Sequence, residues 1–259
     1  MGPQASTALL SVRDVTMRFG GIVALDGVSF DMADGQIVGL IGPNGAGKTT
    51  LFNCVSRLYT PTHGDVVFKG ESIVRATPHR VAALGIGRTF QNLALFPSMT
   101  VLQNVMVGVH SATHGDFLSS ALRLRWVMRE ERQMREAAME LIAFLGLEAV
   151  ARHPAAGLPF GTLKRVELAR ALAGRPKLLL VDEPAGGLNH EEVATLGDIL
   201  RDVRDRQRVS ILLVEHHMSL VMQVSDRVIV LDFGRKIAEG SPSEVQKNPD
   251  VIKAYLGSD

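Results

Sequence analysis

The sequence holds one cysteine, Cys54, in 259 residues, so no internal disulfide forms and a reducing compartment suits the chain. Long apolar runs are missing too. Mean hydropathy is slightly positive at +0.14. Yet the longest apolar stretches, 177–181 and 209–214, fall far short of the roughly 18 residues a spanning helix needs. They read as buried strands. An excess of charge is also lacking: 28 Lys+Arg against 27 Asp+Glu leave +1, which takes away the electrostatic case for nucleic acid as a partner. Internal repeats and low-complexity linkers are absent, and no charged-then-apolar leader opens the chain. The expectation is a protein that stays in the cytoplasm. Shares of 46% apolar and 21% charged residues are those of a folded chain with a large core.

What is present is an alternation of strands and helices. Residues 10–19 and 28–32 alternate apolar and polar like half-buried strands, with turns at Gly20-Gly21 and Ala33-Asp34-Gly35. Residues 36–41 form a short, almost wholly apolar strand, and 49–58 read as the helix after it. A strand at 66–68 and a short helix at 78–84 follow. Between 101 and 147 the pattern is helical, with apolar residues at helical spacing amid many charges. From 177 it returns to strand (177–181), helix (191–204) and strand (209–214). Residues 226–231 and 235–238, joined at Phe233-Gly234, suggest a hairpin. Such alternation implies a largely parallel sheet covered by helices.

The segment Gly42-Pro43-Asn44-Gly45-Ala46-Gly47-Lys48-Thr49 matches G-x-x-x-x-G-K-[ST], with a strand entering and a helix leaving. Glycines let the backbone wrap so that N–H groups face a phosphate, and the helix start adds its positive dipole end. Gly42, Asn44, Gly45, Ala46, Gly47, Lys48, Thr49 and Thr50 are therefore the candidate nucleotide contacts. Lys48 is expected on the β- and γ-phosphates and the Thr49 hydroxyl on Mg²⁺. The motif by itself says phosphate-loop NTPase, a class that includes kinases and GTPases.

A second apolar strand ends in Asp182-Glu183. Lying beside the phosphate-loop strand, it would bring Asp182 near Mg²⁺ and Glu183 to the γ-phosphate, where a base orients the attacking water. A third ends in Glu215-His216-His217. His216 can there reach the γ-phosphate and hold water and Glu183 in register.

The phosphate loop, Gln91, the segment 158–162, Asp182-Glu183 and His216 occur in the order seen in ABC-transporter nucleotide-binding subunits, and the resemblance spans essentially the whole chain. It implies an α/β fold: a P-loop NTPase (RecA-like) core, about 1–95 and 175–245, with an antiparallel β subdomain. It further implies an inserted helical subdomain at about 96–174 and a tail at about 246–259. It implies ATP with Mg²⁺, hydrolysed between two cassettes, homo- or heterodimeric, that pair head to tail. Two transmembrane permease subunits, an indirect solute-binding protein and a peripheral place on the cytoplasmic face of the membrane are implied as well. Gln91 resembles the residue that senses Mg²⁺ and γ-phosphate and contacts the membrane subunit. Phe19 resembles the aromatic that stacks on adenine, a core Phe being the other reading.

The signature segment departs from the family. Leu158-Pro159-Phe160-Gly161-Thr162 stands where Leu-Ser-Gly-Gly-Gln is usual, so Pro159 removes a hydroxyl and a backbone donor. Gly161 remains and the helix expected from about 162 keeps its dipole, so the contact of Leu158, Gly161 and Thr162 across the dimer is expected in weaker or altered form. Asn189 replaces the usual Asp. Arg88-Thr89-Phe90-Gln91-Asn92, the charged middle helix, Glu215-His216 and the ending Asn248-Pro249-Asp250-Val251-Ile252-Lys253-Ala254-Tyr255-Leu256-Gly257 look like the longer ATPase subunit of branched-chain amino-acid importers. Relatives of that branch also serve urea, amides and aromatic acids. An exporter cassette and a soluble, non-transport ABC ATPase stay open as alternatives. The segment 123–132, with Trp126 and Met128, reads either as a face that docks a partner or grazes the membrane surface, or as a solvated helix face.

Overall fold

The computed structural model describes residues 8–89, 93–110 and 125–256. Among them, ten strands form two sheets. The first is antiparallel: β1 (Leu10–Phe19), β2 (Ile22–Met32), β4 (His63–Phe68) and β5 (Glu71–Ser72), in the order β2-β1-β4-β5. The alternation read at 28–32 is real, with Val28, Phe30 and Met32 buried. The strand nonetheless begins six residues earlier. Gly27 at φ 66° and register shifts along β1 break the two-residue period there, which hid it from the sequence.

The second sheet runs β10-β9-β3-β8-β7-β6, with β3 (Ile37–Ile41), β6 (Ile86–Arg88), β7 (Leu178–Asp182), β8 (Ser210–Val214), β9 (Arg227–Asp232) and β10 (Arg235–Gly240). It is parallel from β9 to β6, and only β10 pairs antiparallel. Every residue of β3, β7 and β8 is buried, as expected of parallel strands covered on both faces. One expectation fails here. The strand bearing Asp182 is not beside the phosphate-loop strand, because β8 lies between them; local patterning carries no signal for strand order. The hairpin of β9 and β10 turns at Phe233 (φ 41°) and Gly234 (φ 78°), the two positive angles that a tight two-residue turn requires.

Alternate residues of each strand serve opposite cores. Leu178, Leu180, Leu212 and Val214 face one cluster with Leu51 and Phe52 of α1 (Lys48–Val55) and the first sheet. Leu179, Val181, Ile211 and Leu213 face the other. Its helical wall comes from α3 (Val101–His110), α4 (Arg125–Phe144), α5 (Phe160–Ala173) and α6 (His190–Gln207). Each such aliphatic side chain contributes about 1.5–3 kcal/mol by burial. A small third cluster joins Ile41, Val221, Val228 and Val230 to Val245 and Val251. The described residues also include the short helices α2 (Pro78–Leu84), α7 (Met218–Val224), α8 (Pro242–Gln246) and α9 (Pro249–Leu256). In the basic segment 123–132, helix α4 exposes Arg132 in an ion pair with Glu136; Arg123 lies outside the described residues.

Helix α1 stops at Val55, short of the expected 58. Arg57 takes φ 61°, and its guanidinium donates to the Tyr59 carbonyl at 2.7 Å and the Thr60 hydroxyl at 3.1 Å. A side chain therefore ends the helix where composition shows no breaker. Cys54 on α1 is fully buried, and that burial pushes its thiol up to about 11. The folded state favours the neutral thiol, so only about 10⁻³ of it is thiolate at pH 8. Iodoacetamide at pH 8 should label Cys54 only as fast as the protein unfolds. Rapid, stoichiometric labelling of the native chain would contradict this burial.

Candidate functional site

Strand β3 feeds the chain into 42–47 and α1 carries it away. Gly42 sits at φ 152° and Gly47 at φ 99°. A Cβ on Gly42 would lie 2.1 Å from the Leu231 carbonyl oxygen, and one on Gly47 2.6 Å from that of Ala24, so no other residue fits. The β9–β10 turn braces the loop from behind: the Gly234 N–H donates to the Ala46 carbonyl at 3.0 Å. Helix α1 starts with no side-chain cap and no acidic residue in its first turn. Its first amides and its dipole are thus left to suit an anion. Asn44, Gly45 and Thr49 are exposed, Thr50 is half-buried and Ala46 is buried. Lys48 is buried, and its Nζ donates to the carbonyls of Gly42 at 2.7 Å and Pro43 at 2.9 Å. Burial lowers its pKa, and the Glu183 carboxylate pushes it partly back up.

Asp182 closes β7 as a buried carboxylate. Arg88, at the end of β6, donates from Nη2 to Asp182 Oδ2 at 3.3 Å and from Nη1 to Asn53 Oδ1 at 2.7 Å and Ser56 Oγ at 2.8 Å. It also lies over the Phe52 ring at 4.7 Å. One guanidinium thereby ties β6 and β7 to α1. Burial raises the Asp182 pKa; Arg88 works against that rise and Glu183 adds to it. Glu183 bends away at φ 44° with its N–H on the Val214 carbonyl at 2.9 Å, a conformation costing on the order of 1 kcal/mol or more for a non-glycine residue. Asp182 pairs with Val214 in the sheet, so the ends of β7 and β8 come together. His216 Nδ1 then stands 3.9 Å from Glu183 Oε1.

Glu215, named in the sequence only as the start of Glu215-His216-His217, has a structural role there. Fully buried, it accepts the Ala185 N–H at 2.7 Å, the His216 N–H at 2.8 Å and the His217 N–H at 3.0 Å. It pins the segment after β7 to the segment after β8, and so sets the spacing of Glu183 and His216. An ionisable residue at the inner end of a wholly apolar strand was the available signal.

A family model described as ABC transporter matches residues 25–186, a span that holds the loop, Asp182 and Glu183. This chain belongs to the ABC transporter family. The cassette's residues 235–259 match a second model, described as branched-chain amino acid ATP-binding cassette transporter. It is 41% identical over 252 residues to the high-affinity branched-chain amino acid transport ATP-binding protein of Pseudomonas aeruginosa, covering 97% of this chain and 99% of that protein. Among solved structures, an ATP-binding cassette of an ABC transporter, MJ1267 in its ADP conformation, matches with a TM-score of 0.85 and 31% identity over 97% of this chain and 100% of that one. A dimeric post-hydrolysis state of the cassette MJ0796, bound to ADP and Pi, matches with a TM-score of 0.75 and 25% identity over 90% and 98%. The cassette is an ATPase, and the expected α/β fold with its antiparallel sheet and helical segments holds.

The remaining candidates of the cassette sit as follows. Phe19 is exposed at the end of β1, its ring edge-on to Tyr59 at 5.3 Å; the core reading is excluded. Helix α5 begins at Phe160 rather than 162, with Pro159 as its N-cap. A proline N-cap gives up an N–H that no helical bond needs. Gly161 and Thr162 therefore lie in the first turn, with Leu158 just before it. A Cβ on Gly161 would meet Glu192 Oε1 at 2.8 Å, so a side chain there would have to displace that carboxylate. Asn189 caps α6: its side chain accepts the Glu192 N–H, and the Glu192 carboxylate accepts the Asn189 N–H, both at 2.9 Å. The exchange of Asp for Asn leaves this reciprocal cap intact. Gln91 lies outside the described residues. No helix among the described residues is long and apolar enough to cross a membrane.

Proposed function

We propose that this cassette powers the uptake of branched-chain amino acids or related small polar solutes. The likeness of nearly the whole chain to a branched-chain amino acid transport ATP-binding protein supports that solute class, and the match of residues 235–259 adds to it. What supports the chemistry is the convergence of Lys48, Asp182, Glu183 and His216 on one phosphate loop. Two cassettes are taken to close head to tail on ATP, the loop of one facing residues 158–162 of the other. The work passes through the Gln91 segment to two permease subunits at the cytoplasmic face of the membrane. We assign about 96–174 to a helical subdomain and about 246–259 to a tail, with the rest forming the nucleotide-binding core.

In this reading Phe19 offers its face to adenine, while the loop amides and Lys48 take the phosphates. The tight glycine cradle and the uncapped start of α1 fit a polyphosphate. Thr49 and Asp182 are hard oxygen donors that suit Mg²⁺, with Gln91 as a further ligand; when bound, that ion neutralises phosphate charge. Glu183 accepts a proton from the attacking water, and His216 orients both. Glu215 fixes their spacing through the backbone.

The test is uptake of labelled Leu, Ile and Val, alongside urea and aromatic acids, in source cells carrying Glu183→Gln with redundant transporters deleted. Loss of branched-chain uptake alone is the expected result. Loss of another solute replaces the solute class, and unchanged uptake of all of them overturns the importer reading in favour of export.

A further inference from the structure

The side chain of His217 has no part in the hydrolysis described above, yet its ring lies beside that of His216. The two centroids are 4.6 Å apart and the planes are tilted by 39°. One donor atom from each of Glu215, His216 and His217 falls within 4.8 Å of the others, and among the described residues this is the one group of three that could hold a metal ion. His216 Nδ1 stands 3.9 Å from Glu215 Oε2 and 3.9 Å from Glu183 Oε1. Two imidazoles with a carboxylate suit a borderline transition ion such as Zn²⁺, whereas Mg²⁺ takes oxygen donors and water.

The cluster can contract onto an ion without disturbing the fold. Zinc–donor distances of about 2.1 Å place tetrahedral donors about 3.4 Å apart, so the rings must close in by about an ångström. The His216 side chain is 53% exposed and has space to turn. His217 is half-buried at the N-cap of α7, but its side chain makes no cap hydrogen bond there. Glu215 is the fixed point, held by three N–H groups. Among the described residues its Oε1 accepts only the Ala185 N–H, which leaves that oxygen a lone pair for a metal. The one thiol, Cys54, is buried in α1 and offers no rival ligand.

We propose that Glu215, His216 and His217 bind one divalent transition-metal ion, and that the bound ion stops ATP hydrolysis. The binding stands on this cluster alone. The inhibition rests on the roles given above to Glu183 and His216. An ion on the His216 ring holds a nitrogen that would otherwise orient the water, and it attracts the Glu183 carboxylate beside it.

Zinc is the probe. The metal-free, untagged full-length chain, titrated against a zinc indicator dye in excess Mg²⁺, should bind one Zn²⁺ per chain. His217→Gln keeps the bulk and the backbone N–H but loses the imidazole, and should weaken that binding by about tenfold or more. Without zinc, its turnover of ATP should stay within about twofold of wild type. Added zinc should inhibit the wild-type chain as the site fills, and the variant only at correspondingly higher concentration.

Unchanged zinc affinity in His217→Gln overturns the site. Inhibition of both chains at the same zinc concentration overturns the switch, because that is the mark of Zn²⁺ replacing Mg²⁺ on ATP. Full turnover by the zinc-saturated wild-type chain overturns it too. Glu183→Gln separates these results from failure of the hydrolytic reading: normal turnover in that variant removes the base, while zinc binding and its loss in His217→Gln are read independently of turnover.

Discussion

Replacing Glu183 by Gln should lower ATP hydrolysis by about 10²–10⁴-fold, the usual contribution of a positioned base, with nucleotide affinity preserved. The substitution removes basicity at nearly constant volume. The backbone geometry should survive, because the φ of 44° is held by the N–H bond to Val214 and by Glu215 pinning the two segments together. Phosphate release under steady-state conditions, with titration of a fluorescent ATP analogue alongside, measures both quantities. Near-normal turnover would remove Glu183 from the role of base and move attention to His216, whose Nδ1 lies 3.9 Å away.

Lys48→Ala should instead weaken nucleotide binding itself, on the order of 10²-fold, since each charge-assisted bond to phosphate is worth about 1.5–3 kcal/mol. In the chain as it stands, Nζ spends its hydrogens on the Gly42 and Pro43 carbonyls, and phosphate oxygens would replace them. Burial already works against the lysine's charge, so losing it should leave the fold standing; circular dichroism checks that. Unchanged affinity in the same titration would deny the loop its role.

Several features were legible because they are local. The loop motif with its flanking strand and helix, the helix at 78–84 and the hairpin at Phe233-Gly234 each depend on neighbours within a few residues. They stand where expected. Non-local facts were not legible. The insertion of β8 between β3 and β7 is a property of chain topology. Helix α1 ends early because Arg57 reaches Tyr59, Thr60 and Ala76, a tertiary choice that no propensity encodes. Within the site, Lys48, Asp182 and Glu183 could be read from a motif and a strand end. Arg88 and Glu215 set the spacing of those groups through Asp182 and Ala185, partners far away in sequence, and so these roles surfaced only in three dimensions.

The position of β3 has a consequence for synthesis of the chain. Ile37 pairs with Ile211 and Val38 with Arg227, so both neighbours of this strand are made last. At about 5–20 residues per second, the strand that ends in the nucleotide loop waits on the order of ten seconds or more for a partner. Through that interval five wholly apolar residues have no sheet to join, although the β1–β2 hairpin and α1 are already complete. The nascent cassette is therefore most exposed to aggregation, and most in need of a chaperone, while its middle third is being translated.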